Sequence, residues 1–340
     1  MLRGGAALVL ALLLCAAMPA RAAGVTAGGA DQDTSARMLV PVGHTVGIKL
    51  FARGVMVVKA PESGTPADDC GLQTGDIIVK CGGVSVTSSE QFQSLLQENG
   101  ETATDLQVRR EGGSVTLSVS PEQNEKGAYC IGAWIRDSMA GIGTLTFADP
   151  QTGVFGSLGH GICDAETGVL LPLSEGDLIY STVETVTRGK SGAPGALQGD
   201  FSDARPIGTV TKNTVHGIFG TLSDLSLLSG QGALPVAARD EIQTGDAEII
   251  ANIDGDKVQR YSVQIVRLYP ENDEYGRGML RVTDETLLAQ TGGILQGMSG
   301  SPVVQNGRLI GAVTHVLVDD PASGYAICID DMLEEAESVA

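Results

Sequence analysis

The chain has 340 residues, 41 acidic against 22 basic side chains, and a formal net charge of −19. That length allows about two domains. The acidic balance and the 4% aromatic content exclude a nucleic-acid binder, which needs clustered Lys and Arg to meet phosphate. The 46 glycines disfavour a helical bundle and favour many short strands joined by turns.

The N-terminus reads Met1-Leu2-Arg3, then an uncharged run holding Leu8 to Leu14, then Ala20-Arg21-Ala22. Charged start, apolar stretch and small-residue site make 1–23 a secretory signal or, uncleaved, an N-terminal anchor. Either one exports the rest across the cytoplasmic membrane. Past the signal, Cys70, Cys81, Cys130, Cys163 and Cys328 remain. An odd count argues against a complete disulfide framework. No CxxC or Cys/His cluster suggests a metal site. Cys130 and Cys163 read as small buried hydrophobes.

Residues 38–121 read as one unit. Val46–Leu50, Val55–Val58, Ile77–Lys80, Leu106–Arg110 and Val115–Val119 alternate as strands. Pro66–Leu72 reads as a helical turn, and the serines at 88 and 89 start a helix with apolar Phe92, Leu95 and Leu96. With Gly47-Ile48-Lys49-Leu50, Pro66-Ala67, Gly71-Leu72 and Gly75-Asp76-Ile77-Ile78, this unit resembles a PDZ domain of bacterial secreted proteases. The resemblance implies a groove in which a peptide, C-terminal or internal, adds as a strand. Val46, Gly47, Ile48, Lys49 and Leu50 are then the expected carboxylate-capturing loop. Residues 122–137 read as a polar linker.

From 138 onward strand-like segments recur, among them Ile142–Phe147, Val154–Leu158, Leu178–Val186, Tyr261–Leu268 and Arg308–Val313. Such spacing predicts a closed or double β-barrel. Glu285–Thr291 and Met332–Ser338 read as short helices. Gly297-Met298-Ser299-Gly300-Ser301-Pro302 sets a serine in a sharp glycine turn. The N–H groups of Gly297 and Ser299 are placed to form an oxyanion hole. Gly159-His160-Gly161, at a strand end, offers an open imidazole suited to general-base work. His216 and His315 are its competitors.

Together the PDZ-like unit, Gly159-His160-Gly161, the Ser299 hexapeptide and Gly311-Ala312-Val313-Thr314-His315-Val316 resemble the SpoIVB peptidases of endospore-forming bacteria. The resemblance implies a mainly β fold: a PDZ domain before a chymotrypsin-like double β-barrel peptidase domain over 138–340. It implies a serine endopeptidase with His160, Asp284 and Ser299 as its catalytic residues and with no metal or cofactor. Asp284 has a second reading as the cap of Glu285–Thr291; Asp203 and Asp224 also lie between His160 and Ser299. The family's role is signalling between forespore and mother cell during sporulation. Its substrate is a membrane-associated regulatory subunit of a pro-sigma factor processing complex, and it also cleaves itself. Two other readings stand beside this one: an envelope quality-control protease, and a pseudo-peptidase that only binds peptides.

Overall fold

A computed structural model describes residues 37–201, 205–270 and 278–339. The 1–23 segment and Asp203 lie outside them. β1 (Met38–Pro41) leads into β2 (Thr45–Lys59), whose Val46, Ile48 and Leu50 turn into one core while Lys49 faces out. The chain then forms α1 (Pro66–Asp69), β3 (Ile77–Cys81), β4 (Val84–Ser85), α2 (Ser89–Asn99), β5 (Thr104–Arg110), β6 (Gly113–Val119), β7 (Glu122–Gln123) and β8 (Tyr129–Cys130). It returns along β2 as β9 (Trp134–Ala148).

These two long strands pair twice. Thr45 to Phe51 face Thr144 to Ser138, and after a register shift Met56 to Lys59 face Arg136 to Trp134. Gly54 lies at the shift with φ +113, where an added Cβ would stand 2.6 Å from the Ile78 carbonyl oxygen. Only glycine suits a backbone that bends and passes this close.

Beyond β9 come β10 (Val154–Ser157), β11 (Leu173–Tyr180), β12 (Thr182–Thr187), β13 (Ala196–Asp200), β14 (Pro206–Thr214), β15 (Gly217–Leu222) and β16 (Leu234–Pro235). The segment expected as one strand over Leu178–Val186 breaks at Ser181, between β11 and β12. Pairing runs β9-β10-β15-β14-β11-β2, and the β2–β9 ladder closes the ring. This is a six-stranded antiparallel barrel filled by Val46, Ile48, Leu50, Phe155, Leu178 and Val210.

A second closed barrel follows. It is built from β17 (Gly245–Asn252), β18 (Val258–Leu268), β19 (Gly278–Val282), β20 (Pro302–Gln305), β21 (Arg308–Val316) and β22 (Ser323–Cys328), in the order β17-β18-β19-β22-β21-β20. α3 (Glu285–Thr291) sits between β19 and β20, at the bounds the sequence pattern predicts. α4 (Ile329–Ala336) follows β22. Its Ile329, Met332 and Leu333 pack with Phe147 and Phe219 of the first barrel and with Leu309 and Ile327 of the second. Burying each such side chain contributes about 1.5–3 kcal/mol, so α4 fastens the barrels to each other.

The structure redraws the expected boundaries. β1 and the first half of β2 belong to the first barrel, not to a domain that precedes it. The PDZ-like unit is an insertion between Ala52 and Ser138, within a hairpin of that barrel. Its separate core holds Val55, Val57, Ile78, Phe92, Leu96, Leu106 and Val108. Asp76, buried beneath it, accepts two 2.7 Å bonds from the Arg110 guanidinium. The fork fixes the turn before β3 against the end of β5. Residues 122–137 are not a free linker either, since they hold β7, β8 and the start of β9. Alternation along a strand shows which residues face a core. It does not show which core.

Candidate active site

Ser299 lies in the loop between α3 and β20. Ser301 N–H donates to the Met298 carbonyl (3.0 Å) and Gly300 N–H to the Val313 carbonyl (2.7 Å). Met298 is buried in the second barrel's core, which pins the turn from below. Gly300 has φ +95, and a Cβ there would stand 2.1 Å from the Thr144 carbonyl oxygen and 2.5 Å from the Leu158 nitrogen. Glycine at this point lets the serine loop press against the first barrel. Among the described residues, the backbone N–H groups of Gly297 and Ser299 donate to no protein acceptor. Free donors on a rigid turn beside a hydroxyl suit a developing oxyanion.

His160 arrives from the first barrel. After β10 the chain turns through Leu158 (φ +71) and Gly159 (φ +70). A left-handed non-glycine residue costs of order 1–3 kcal/mol, and Leu158 is held there by its side chain in the barrel core. Beyond the turn, Asn213 on β14 clamps the loop. Its Oδ1 accepts from Ile162 N–H (2.9 Å), and its Nδ2 donates to the carbonyls of Ile162 (2.9 Å) and Leu171 (3.0 Å). Buried Asp164 accepts from the N–H groups of Glu166 and Thr167 and pairs with Arg136 of β9.

Thr144 on β9 joins the two halves. Its carbonyl accepts from Ser157 Oγ (2.6 Å) and Leu158 N–H (3.3 Å), on the histidine side. Its N–H donates to the Ser299 carbonyl (2.9 Å) and its Oγ1 to the Gly297 carbonyl (2.9 Å), on the serine side. Thr144 and Asn213 escape sequence reasoning because each acts through partners distant in the chain. The polar threonine within the apolar Ile142–Phe147 strand is the one visible signal for the first.

The imidazole's surroundings define its state. His160 Nδ1 lies 3.0 Å from the Gly161 carbonyl oxygen. A carbonyl only accepts, so Nδ1 carries the proton and Nε2 keeps the lone pair. Burial lowers the His160 pKa below the ordinary 6.5, and the Gly161 bond offsets part of this. His315, on β21, lays its ring against that of His160 with centroids 4.7 Å apart and planes tilted by 32°. His315 itself is exposed. Loss of water where the rings meet, and then the neighbouring imidazole, push its pKa down to about 4. Ser299 Oγ donates to the carbonyl of Thr314, the residue before His315, at 2.6 Å.

The structure does not bring Asp284 to this cluster. Its Oδ1 accepts from Leu287 N–H (2.9 Å) and its Oδ2 from Ser262 N–H (3.4 Å), so it caps α3 and ties it to β18. Among the described residues no carboxylate bonds to His160. Asp224 caps a short turn after β15 and pairs with Arg205 at 2.5 Å. His216 faces Glu335 of α4 at 3.7 Å.

The expected peptide loop also moves. Val46, Gly47, Ile48, Lys49 and Leu50 have β9 on one edge and β11 on the other, so they cannot add a peptide strand. Gly47, Ile48 and Lys49 instead line an apolar hollow of about 370 Å³ with Ile142 and Phe201. Ile142 also packs where a side chain on Gly297 would stand, so the hollow opens beside the serine loop. The PDZ-like unit presents a different edge. Trp134–Asp137 pairs with β2 on one side and, among the described residues, with no strand on the other. α2 lies alongside: Ser89 N–H donates to Asp137 Oδ2 (2.7 Å), and Gln93 and Gln97 donate to the Tyr129 carbonyl. The five cysteines of the described residues are free thiols. Contrary to expectation, Cys163 is exposed, in the connection after the His160 turn, and Cys130 is only half-buried, in the two-residue strand β8.

Comparison with known proteins adds to this geometry. The model of the SpoIVB peptidase S55 family matches residues 127–333, and that of the PDZ domain matches 57–110. The chain is 41% identical over 61 residues to "Serine protease HTRA1" of Xenopus tropicalis, which is 18% of this chain and 13% of that protein. It thus spans only a small part of the length of the curated relatives it matches. The PDZ domain of the SdrC-like protein of Listeria monocytogenes covers 24% of this chain and 87% of its own, at 21% identity and TM-score 0.23. The Rv3671c protease from M. tuberculosis, in its active form, covers 59% and 75%, at 16% identity and TM-score 0.33.

Proposed function

The chain belongs to the SpoIVB (S55) peptidase family, and on that premise we propose how this PDZ-containing serine endopeptidase works and where it acts. The observation that carries the mechanism is the junction at Thr144, which sets the Ser299 turn, with two free N–H groups, against the His160 turn. Ser299 Oγ leaves the Thr314 carbonyl, passes its proton to His160 Nε2 and bonds to the substrate carbonyl carbon. The carbonyl π pair moves to oxygen, and the Gly297 and Ser299 N–H groups hold that charge. As the peptide C–N bond breaks, His160 returns the proton to the departing nitrogen. Water then repeats the sequence on the acyl-enzyme and regenerates Ser299.

The Gly161 carbonyl sets the tautomer, the part an aspartate plays in the familiar triad. The hollow lined by Ile48, Ile142 and Phe201 favours an apolar substrate side chain near the scissile bond. A peptide adds along Trp134–Asp137 beside α2, giving the PDZ-like unit its groove.

The biological reading rests on family membership and the N-terminal pattern. The enzyme is exported into the space between forespore and mother cell, either soluble after processing or N-terminally anchored. There it cleaves a membrane-associated regulator of pro-sigma factor processing, and it cleaves itself. The test is covalent labelling with a fluorophosphonate, together with mass spectrometry of self-cleavage fragments from wild type and Ser299→Ala. Labelling and fragments that vanish in Ser299→Ala support the reading; equal labelling of the two proteins overturns the mechanism. Expression in heat-stressed vegetative cells rather than sporulating ones would overturn the signalling role.

A further inference from the structure

Among the described residues His160 meets no carboxylate, yet a base that must turn one nitrogen to a carbonyl and the other to a serine needs its ring held. The one bond it makes among the described residues, from Nδ1 to the Gly161 carbonyl at 3.0 Å, fixes that nitrogen but not the plane of the ring, which can swing about the contact. The ring of His315 lies against that of His160, centroids 4.7 Å apart and planes tilted by 32°, and limits that swing. β21 delivers that ring with little freedom. Val313 N–H donates to the Ser301 carbonyl (2.9 Å), Gly300 N–H donates to the Val313 carbonyl (2.7 Å), and the Thr314 carbonyl accepts from Ser299 Oγ (2.6 Å). Thr314 also packs near Gly159, 3.1 Å from where its side chain would begin. One strand therefore fixes the nucleophile's resting contact and the wall beside the base.

We propose that His315 is the positioning residue of the site: its flat ring holds the His160 imidazole by stacking. It moves no proton and touches no reacting atom. It does the orienting that a hydrogen-bonded carboxylate does elsewhere, and it does so by packing. The inference rests on the assignment of Ser299 and His160 given above.

A role in stacking is distinct from a role in charge or hydrogen bonding, because phenylalanine keeps the ring and discards both nitrogens. The experiment measures inactivation of the full exported chain by a fluorophosphonate, separating the maximal rate from the half-saturating concentration. His315→Ala lowers the maximal rate by about tenfold or more and leaves half-saturation unchanged, a loss of orientation rather than of binding. His315→Phe restores the rate to within about threefold of wild type. A wild-type rate in His315→Ala overturns the proposal. So does a His315→Phe protein as slow as the alanine variant, since a nitrogen would then be doing the orienting. Should His315→Ala fail to fold by thermal melting, His315→Leu, of similar bulk but without a flat face, takes its place under the same criteria. Failure of the parent reading looks different: Ser299→Ala would label as wild type does, whatever stands at 315.

Discussion

Ser299 and Asp284 stand 15 residues apart, both in turns that follow second-barrel elements, and their surroundings are opposite. Around Ser299 the neighbouring N–H groups of Gly297 and Ser299 donate to no acceptor among the described residues, and the hydroxyl donates to the Thr314 carbonyl, a bond that rotation releases. Around Asp284 both carboxylate oxygens are engaged, one capping α3 and one bound to Ser262. A residue type suited to catalysis becomes available for it only when local structure leaves its polar groups uncommitted. Asp284 has the right chemistry in the right chain order, but the helix it starts has already claimed it.

Substitutions at the two ends of this comparison separate sharply. His160→Gln removes the base and lowers fluorophosphonate reactivity about a hundred- to ten-thousandfold, with the melting temperature little changed. Gly300→Ala places a methyl 2.1 Å from the Thr144 oxygen at a left-handed φ, so both stability and labelling fall. A soluble protein that labels at wild-type rate would contradict the tight approach. Thr144→Val keeps shape and loses the bond to the Gly297 carbonyl. It should cost about 1–3 kcal/mol in denaturant unfolding and slow labelling about tenfold. Asp284→Ala removes only a cap: about 1 kcal/mol of stability is lost, Asp284→Asn keeps most of it, and labelling stays within about twofold. A thousandfold loss in Asp284→Asn would reverse the comparison and return Asp284 to the site.

Acid pH tests the same contrast from the base. His160 works only when neutral, and burial lowers its pKa below 6.5. Reactivity therefore holds as pH falls through 6.5 and declines only below the lowered value. A rate profile whose acid limb lies above 6.5 would contradict the half-buried, uncharged imidazole.

The two turns that carry Ser299 and His160 were legible because glycine at fixed offsets announces an exposed side chain and a sharp reversal. The helix at Glu285–Thr291 was legible for a related reason, and Asp284 showed both its readings before the structure chose one. Thr144, Asn213 and Arg136 were hidden, since a hydrogen bond across barrels leaves no local pattern. The largest misreading was Val46–Leu50. Its alternation is that of any half-buried strand, and the pairing partners that place it in a barrel lie in β9 and β11. The family model's PDZ match begins at Val57, past the bend at Gly54.

That bend has a kinetic consequence. Val46 pairs with Gly143, so the first barrel closes only after ends roughly 100 residues apart meet, a loop whose entropy cost rises slowly with length but must be met before any reward. A folded insertion brings Lys59 and Trp134 side by side and shortens that search to a hairpin. The insertion then acts as an internal template for its host. In pulse-labelled hydrogen exchange during refolding, the amides of Ile78 and Leu106 gain protection before those of Ile48 and Leu50.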